Sequence, residues 1–337
     1  MTATGAWPRC SFIADAADDP REGTAPPADR WFLVEHPGPW GRVALAQSGV
    51  HPAAVAAISA WAAAEGGRAV LVRKPGRAPR NETPARPGPG LLPGMRDVID
   101  GAGTPIGGRR RWFRVDSRPG HESIRTGTFV DESELVPAVH APGERYAGQL
   151  SLVCAHGRHD TCCAVRGRPL AAALTAAEPG SVWESSHIGG CRFAPALVLL
   201  PHGYVFGGLP AAEGPAVVRA YAEGRVEPRW LRGRSSLPPA VQAAQHHCRA
   251  ATGASGVDAL QLVDVKSEQQ ADGSRVWHVE LSDPACSVRL RERRVETGRP
   301  LTCAATAPGW MRLFDLIELT APGAVDHRPR SSGHTAG

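Results

Sequence analysis

The sequence predicts an α/β fold, and three patterns along its 337 residues carry that expectation. Strand-like and helix-like stretches alternate as β-α-β over residues 30–74. They alternate again as β-α-β-β-α over 149–223, and an amphipathic helix precedes three strand-like runs between 239 and 292.

Residues 1–29, rich in Ala, Asp and Pro, predict an irregular lead-in. Arg30 to Glu35 then reads as a strand, closed by His36-Pro37-Gly38-Pro39-Trp40-Gly41, whose prolines and glycines forbid regular structure. Val55, Ile58 and Trp61 recur at helical spacing and predict a helix from His51 to Glu65, ended by Gly66-Gly67. Arg68 to Lys74 is the next strand. Pro and Gly crowd Pro75 to Gly108, which predicts a long loop, and strand character resumes at Arg111–Asp116 and Gly127–Asp131. Ala141-Pro142-Gly143 marks the end of an N-terminal α/β region spanning 30–144.

In the next unit, 145–227, Gln149–Cys154 is a short buried strand and Pro169–Ala177 a helix, with Leu170 and Leu174 four apart and Pro169 in its first turn. Strand Val182–Glu184, strand Ala196–Leu200, the turn Pro201-His202-Gly203, strand Tyr204–Phe206 and a helix near Pro215–Glu223 complete an order that matches the core of a thioredoxin-like domain. Residues 228–321 predict a small α+β unit. It has a helix at Pro239–Thr252 and strands at Ala259–Val265, Val276–Leu281 and Cys286–Glu292, with Asp272-Gly273 as a hairpin signal. The polar stretch 322–337 predicts a disordered tail.

Hydrophobic residues at 42% and charged residues at 21% fit a globular protein. The net charge of +5 does not point to nucleic acid. Only Lys74 and Lys266 among the 38 basic residues are lysine, so the dispersed arginines fit a high-GC coding bias, and no nucleic-acid-binding motif accompanies them. The densest run, Arg109-Arg110-Arg111, reads as a solvated loop entering a strand. The N-terminus lacks the basic-then-apolar pattern of a secretory signal, and the apolar stretches Pro52–Ala64 and Ala194–Pro201 are too short to span a bilayer. A cytoplasmic address and no membrane partner are expected, and free thiols are the default there.

Eight cysteines are too few for a disulfide scaffold in so long a chain, but Cys154, Cys162, Cys163 and Cys191 fall within 38 residues. Cys154-Ala-His-Gly-Arg-His-Asp-Thr-Cys162-Cys163 and His187-Ile-Gly-Gly-Cys191 each follow a predicted strand, so both can lie at one sheet edge. Two thiolates from the first loop, with an imidazole and a thiolate from the second, suffice for zinc or for a [2Fe-2S] cluster. Gly189 and Gly190 allow a tight fold between two ligands and leave room for inorganic sulfide. The spacing leaves iron–sulfur, zinc, thiol redox chemistry and unligated core cysteines open. In the vicinal pair, one cysteine is the ligand and the other a core or neighbouring thiol.

At these residues the chain resembles the sucrase/ferredoxin-like family. The resemblance is carried by Cys154 to Leu170 and by Trp183-Glu-Ser-Ser-His187-Ile-Gly189-Gly190-Cys191-Arg192-Phe193-Ala194. It extends upstream to Gly23-Thr24-Ala25, Arg30-Trp31 and His36 to Gly41. Downstream it reaches Leu231-Arg232-Gly233-Arg234 and, more weakly, Arg299 to Cys303. It implies a thioredoxin-like [2Fe-2S] ferredoxin whose cluster ligands fall here on Cys154, Cys163, His187 and Cys191, with Cys162 as the alternative to Cys163. Relatives can carry histidine where Cys191 stands, so this chain is implied to be a three-Cys, one-His variant. A neutral imidazole in place of a thiolate makes such a site less anionic and easier to reduce, and couples reduction to protonation where its second nitrogen reaches solvent.

His156, Arg158, His159 and Asp160 shape the loop's field, a partner surface, or simply its turns; Trp40 reads as a buried turn anchor. Cys10, Cys248, Cys286 and Cys303 are isolated in sequence and read as structural. No acidic motif marks the carboxylate pair of a glycoside hydrolase, and no G-x-G-x-x-G, P-loop or G-x-S-x-G elbow is present. The expectation is therefore an electron carrier rather than a catalyst, exchanging electrons with a separate redox protein. A thiol-disulfide oxidoreductase using Cys162 or Cys163 and a zinc-stabilised interaction module are the alternatives.

Overall fold

The structure is a computed structural model that describes residues 8–76, 98–99, 105–106 and 108–322. Ten strands form one mixed sheet: β1 (Arg30–Glu35), β2 (Gly67–Arg73), β3 (Arg110–Asp116), β4 (Ser123–Phe129), β5 (Glu144–Arg145), β6 (Leu150–Cys154), β7 (Val182–Ser185), β8 (Ala196–Leu200), β9 (Tyr204–Gly207) and β10 (Leu231–Arg234). Their order is β10-β9-β8-β6-β7-β2-β1-β3-β4-β5. Helices α1 (Cys10–Ala16), α2 (Pro52–Ala64), α3 (Thr161–Ala177), α4 (Gly214–Ala222) and α5 (Pro239–Thr252) pack around it. The chain is thus α/β, as its alternating patterns predict. Among the described residues no helix is long and apolar enough to cross a membrane.

Two neighbouring strand pairs run parallel, β1 with β2 and β6 with β7. A parallel pair needs a crossover, supplied by α2 in the first case and α3 in the second. Each crossover unit is extended on its far side by an antiparallel hairpin, giving β2-β1-β3-β4 in one half and β7-β6-β8-β9 in the other. The same strand arrangement therefore occurs twice. The halves meet where β2 and β7 pair antiparallel through Val72 with Ser185 and Arg73 with Glu184. A buried ion pair, Arg73 Nη2 to Glu184 Oε2 at 2.7 Å, closes that seam. The sequence predicts the first half only as an α/β region, because the halves share a topology without a repeated motif.

Side chains alternate across the strands, and both faces are covered. On one face Trp31, Leu33 and Val72 join Leu150, Leu152, Trp183 and Val198 in a single core common to both halves. On the other, α2 covers Phe32, Val34 and Leu71, while α3 and α4 cover Val153, Val182 and Leu197. The shared face is closed partly by the lead-in. Its residues 10–16 form α1 rather than the irregular segment expected, and Cys10, Ala25 and Ala28 are buried against the sheet.

Helix α3 begins at Thr161, eight residues before the expected start, so Pro169 lies in its interior. Asp160 makes the early start favourable, since its carboxylate accepts the Cys162 N–H at 2.9 Å as an N-cap. Pro169 is exposed, as is Val165, whose carbonyl the proline leaves without a helical N–H.

Beyond β10, α5 packs on a second, antiparallel sheet of β11 (Gln261–Gln269), β12 (Arg275–Ser282), β13 (Cys286–Glu296) and β14 (Trp310–Thr320). The sequence predicts three of these strands; β14 is the fourth. Cys248 and Cys286 lie buried together in the core of this unit. The long loop expected over 75–108 lies outside the described residues apart from 75–76, 108 and the paired stretches Val98–Ile99 and Pro105–Ile106. The tail expected over 322–337 lies outside them beyond residue 322.

Candidate metal centre

Parallel pairing of β6 and β7 sets Cys154 beside Ser185, so the loops leaving both strands emerge at one sheet edge. The first loop returns at once into α3, whose first turn carries Cys162 and Cys163. Adjacent helical residues diverge by about 100° around the axis, so the two thiols point into different surroundings. Gly167, one turn further, lets α3 approach β6 closely, because a Cβ there would collide with the Cys154 carbonyl.

Cys163 turns toward Cys154 and Cys191, all three buried in one core. The neighbouring sulfurs and burial push the Cys163 thiol far up, while Cys163 in turn pulls its neighbours down. Cys191, helped next by His159 and His187, falls to about 3. His187 lies beside this core with Nδ1 at 3.4 Å from Cys191 Sγ. Of the four predicted residues, His187 and Cys191 bring their ligand atoms within 4.8 Å in a group completed by His159, while Cys154 and Cys163 lie beside Cys191 in the same core, outside that group.

A second imidazole joins them. The rings of His159 and His187 stack with centroids 3.6 Å apart, both half-buried, on the solvent side of the buried sulfurs. His159 Nδ1 lies 3.2 Å from the Arg42 carbonyl, and its hydrogen bond to Cys191 raises its pKa. His156 is buried and its pKa is lowered by that burial. Its Nε2–H donates to the Gly41 carbonyl at 2.7 Å, leaving Nδ1 to accept the His187 N–H at 3.2 Å. Trp40, whose indole N–H donates to the His36 carbonyl, packs edge-on to the His156 ring. His156 and Trp40 therefore anchor the second ligand loop, roles that loop composition does not reveal.

Gly189 and Gly190 have φ of 126° and 73°, and a Cβ on Gly190 would strike the Arg232 guanidinium. Arg232 is fully buried. It donates to the Gly189 carbonyl at 2.9 Å, to Thr24 Oγ1 at 3.1 Å and to the Thr24 carbonyl. Burial brings its pKa down to about 9, while Cys191 and Cys154 act to hold its charge. The sequence marks Arg232 as part of the resemblance but not as the cation beside these thiols. Arg192, paired with Asp19 at 3.3 Å, lies instead toward Cys10.

Cys162, the alternative to Cys163, belongs to a different group. Its Sγ lies 3.3 Å from that of Cys303, which lies 3.5 Å from that of Cys10. Cys10 and Cys303 therefore do not stand isolated as their sequence positions suggest. Hydrogen bonds from Cys10 and then Ser11 bring Cys162 down to about 5.

Fold and site together define an α/β protein with Cys/His groups suited to holding a metal ion: the ligand atoms of His159, His187 and Cys191 lie within 4.8 Å of one another, as do those of Cys10, Asp160, Cys162 and Cys303. The chain belongs to the sucrase/ferredoxin-like family, whose profile matches residues 22–233. Comparison with curated proteins and with solved structures gives no match. The family match spans both halves of the large sheet and ends before α5.

Proposed function

We propose that the chain is an electron-transfer protein holding one [2Fe-2S] cluster on Cys154, Cys163, His187 and Cys191, and exchanging electrons with a separate redox protein. The observation that carries this is the burial of Cys154, Cys163 and Cys191 in one core with the His187 imidazole 3.4 Å from Cys191 Sγ, a set of soft sulfur and imidazole donors that favours a cationic group. Family membership supports the choice of cluster. When bound, the cluster supplies reversible one-electron chemistry.

The chain's own residues have definable parts in this. The α3 N-terminus, capped by Asp160, places Cys163 in the first helical turn against β6. Arg232 offsets negative charge at Cys154 and Cys191 and holds the Gly189 carbonyl. His156 fixes the main chain of His187. His159 and His187, half-buried, offer the side of the site on which a redox partner would approach.

Absorption and electron paramagnetic resonance of protein purified without oxygen test the proposal. Visible sulfur-to-iron bands that bleach on reduction, with a paramagnetic signal appearing, are expected. A colourless chain that reduces disulfides, or one holding stoichiometric zinc at Cys154 and Cys191, would sink it.

A further inference from the structure

The second thiol group uses residues from three separated parts of the chain. Cys10 opens α1, Asp160 and Cys162 start α3, and Cys303 lies on the loop between β13 and β14. Asp160 organises them. One carboxylate oxygen accepts the Cys162 N–H at 2.9 Å and the other the Cys303 N–H at 2.8 Å. The Cys10 thiol lies 3.5 and 3.7 Å from those same oxygens and also hydrogen-bonds Cys162. Cys10, Cys162 and Asp160 are buried and Cys303 is exposed.

These separations are close to those of a metal-centred tetrahedron. Bonds of about 2.3 Å to sulfur and about 2.1 Å to oxygen give edges of about 3.8 Å between sulfurs and about 3.6 Å between sulfur and oxygen. The observed sulfur–sulfur edges Cys162–Cys303 and Cys303–Cys10 are 3.3 and 3.5 Å, and Cys10 Sγ lies 3.5 Å from the nearer Asp160 oxygen. All four donors lie within 4.8 Å of one another, so an ion needs these two sulfur pairs to part by only a few tenths of an ångström. A disulfide accounts for the group less well. It would join two of the three sulfurs and leave a third thiol against a buried carboxylate. A cation engages all four donors. Arg192, held by Asp19, is close enough to sense charge on Cys10 and supplies a nearby cation.

We propose that Cys10, Cys162, Cys303 and Asp160 form a second metal site that takes one zinc ion, separate from the Cys154 group. Binding exchanges thiol protons for zinc–sulfur bonds, the protons leaving to solvent, with no change of oxidation state. Soft sulfur donors in a closed tetrahedral set define a structural zinc site, and the exposed Cys303 is its entry. Cys10 and Cys303 lie outside the residues matched by the family, so the ion fastens segments on both sides of the matched region to α3. It thereby fixes Cys162 next to Cys163, which explains why adjacent cysteines serve two sites.

Full-length chain, purified without oxygen, loaded with zinc chloride and desalted, is analysed for zinc, iron and disulfides. About one zinc per chain is expected. Cys10→Ser and Cys303→Ser should each lower bound zinc at least tenfold and leave iron unchanged, while Cys154→Ser does the reverse. Cys303→Ser, on an exposed loop, keeps the test open should Cys10→Ser fail to fold. Wild-type chain that binds no zinc, zinc unchanged in Cys303→Ser, iron lost along with zinc in Cys303→Ser, or a disulfide between any two of the three cysteines each overturns the proposal. Zinc held through Cys303 in a chain that takes up no iron sinks the cluster proposal alone.

Discussion

Replacing Arg232 with Met removes a buried cation that ties the lead-in to the second ligand loop. The variant leaves the Thr24 and Gly189 carbonyls without their donor and strips Thr24 Oγ1 of a third hydrogen bond. At about 1–3 kcal/mol for each unmet acceptor, the two carbonyls cost roughly 2–6 kcal/mol. Sparing the guanidinium its burial, which brings its pKa down to about 9, acts in the opposite direction and offsets much of this, so the net loss falls at or below the low end of that range. Guanidinium chloride unfolding measures this as a lower midpoint at unchanged slope. Released from Arg232, the Gly189 carbonyl no longer fixes the 189–190 turn, so metal retention should fall as well. Arg232→Lys restores charge but not the forked geometry, and should recover only part of the loss. A midpoint equal to or above that of the wild type would refute the account of Arg232 as an organising cation.

Two further outcomes follow from packing and burial. Gly167→Ala places a methyl group against the Cys154 carbonyl and should force α3 away from β6. A stability loss of about 1–3 kcal/mol is expected, with weakened metal binding; a melting temperature and metal content both matching wild type would contradict the close approach. Burial lowers the pKa of His36, His202 and His247, so the unfolded chain binds protons more tightly than the folded one. Stability present above the unfolded value of about 6.5 is therefore lost as pH falls through and below it. Urea midpoints should drop between pH 7.5 and 5.5, with a shallower drop in His202→Gln. Identical slopes for that variant and wild type would exclude His202 as a contributor.

Elements with a plain apolar pattern are legible in the sequence. The structure has strand Ala196–Leu200 and helix Pro239–Thr252 with the predicted bounds, because the first is a continuous apolar run and the second keeps Val241, Ala244 and Cys248 on one buried face. β10 escapes prediction because Leu231-Arg232-Gly233-Arg234 looks solvated, whereas both arginines are buried and paired, Arg234 with Glu122. α1 escapes because its buried side is only Cys10, Ser11 and Ala14. The α3 start is hidden by Pro169, which local rules place at a helix beginning. At the site, the approach of Cys154, Cys163, His187 and Cys191 follows from strand ends and short loops, both visible in sequence. The meeting of Cys10, Cys162 and Cys303 depends on contacts spanning 141 and 293 residues, which no local spacing records.

The central claim is that Cys163, and not its neighbour, helps hold an iron–sulfur cluster. Iron and acid-labile sulfide, measured per chain in anaerobically purified wild type, Cys162→Ser and Cys163→Ser, test it most directly. The account predicts about two irons and two sulfides in the wild type, nearly the same in Cys162→Ser, and neither in Cys163→Ser. Wild-type protein without iron, or loss of the cluster in Cys162→Ser alone, would contradict it.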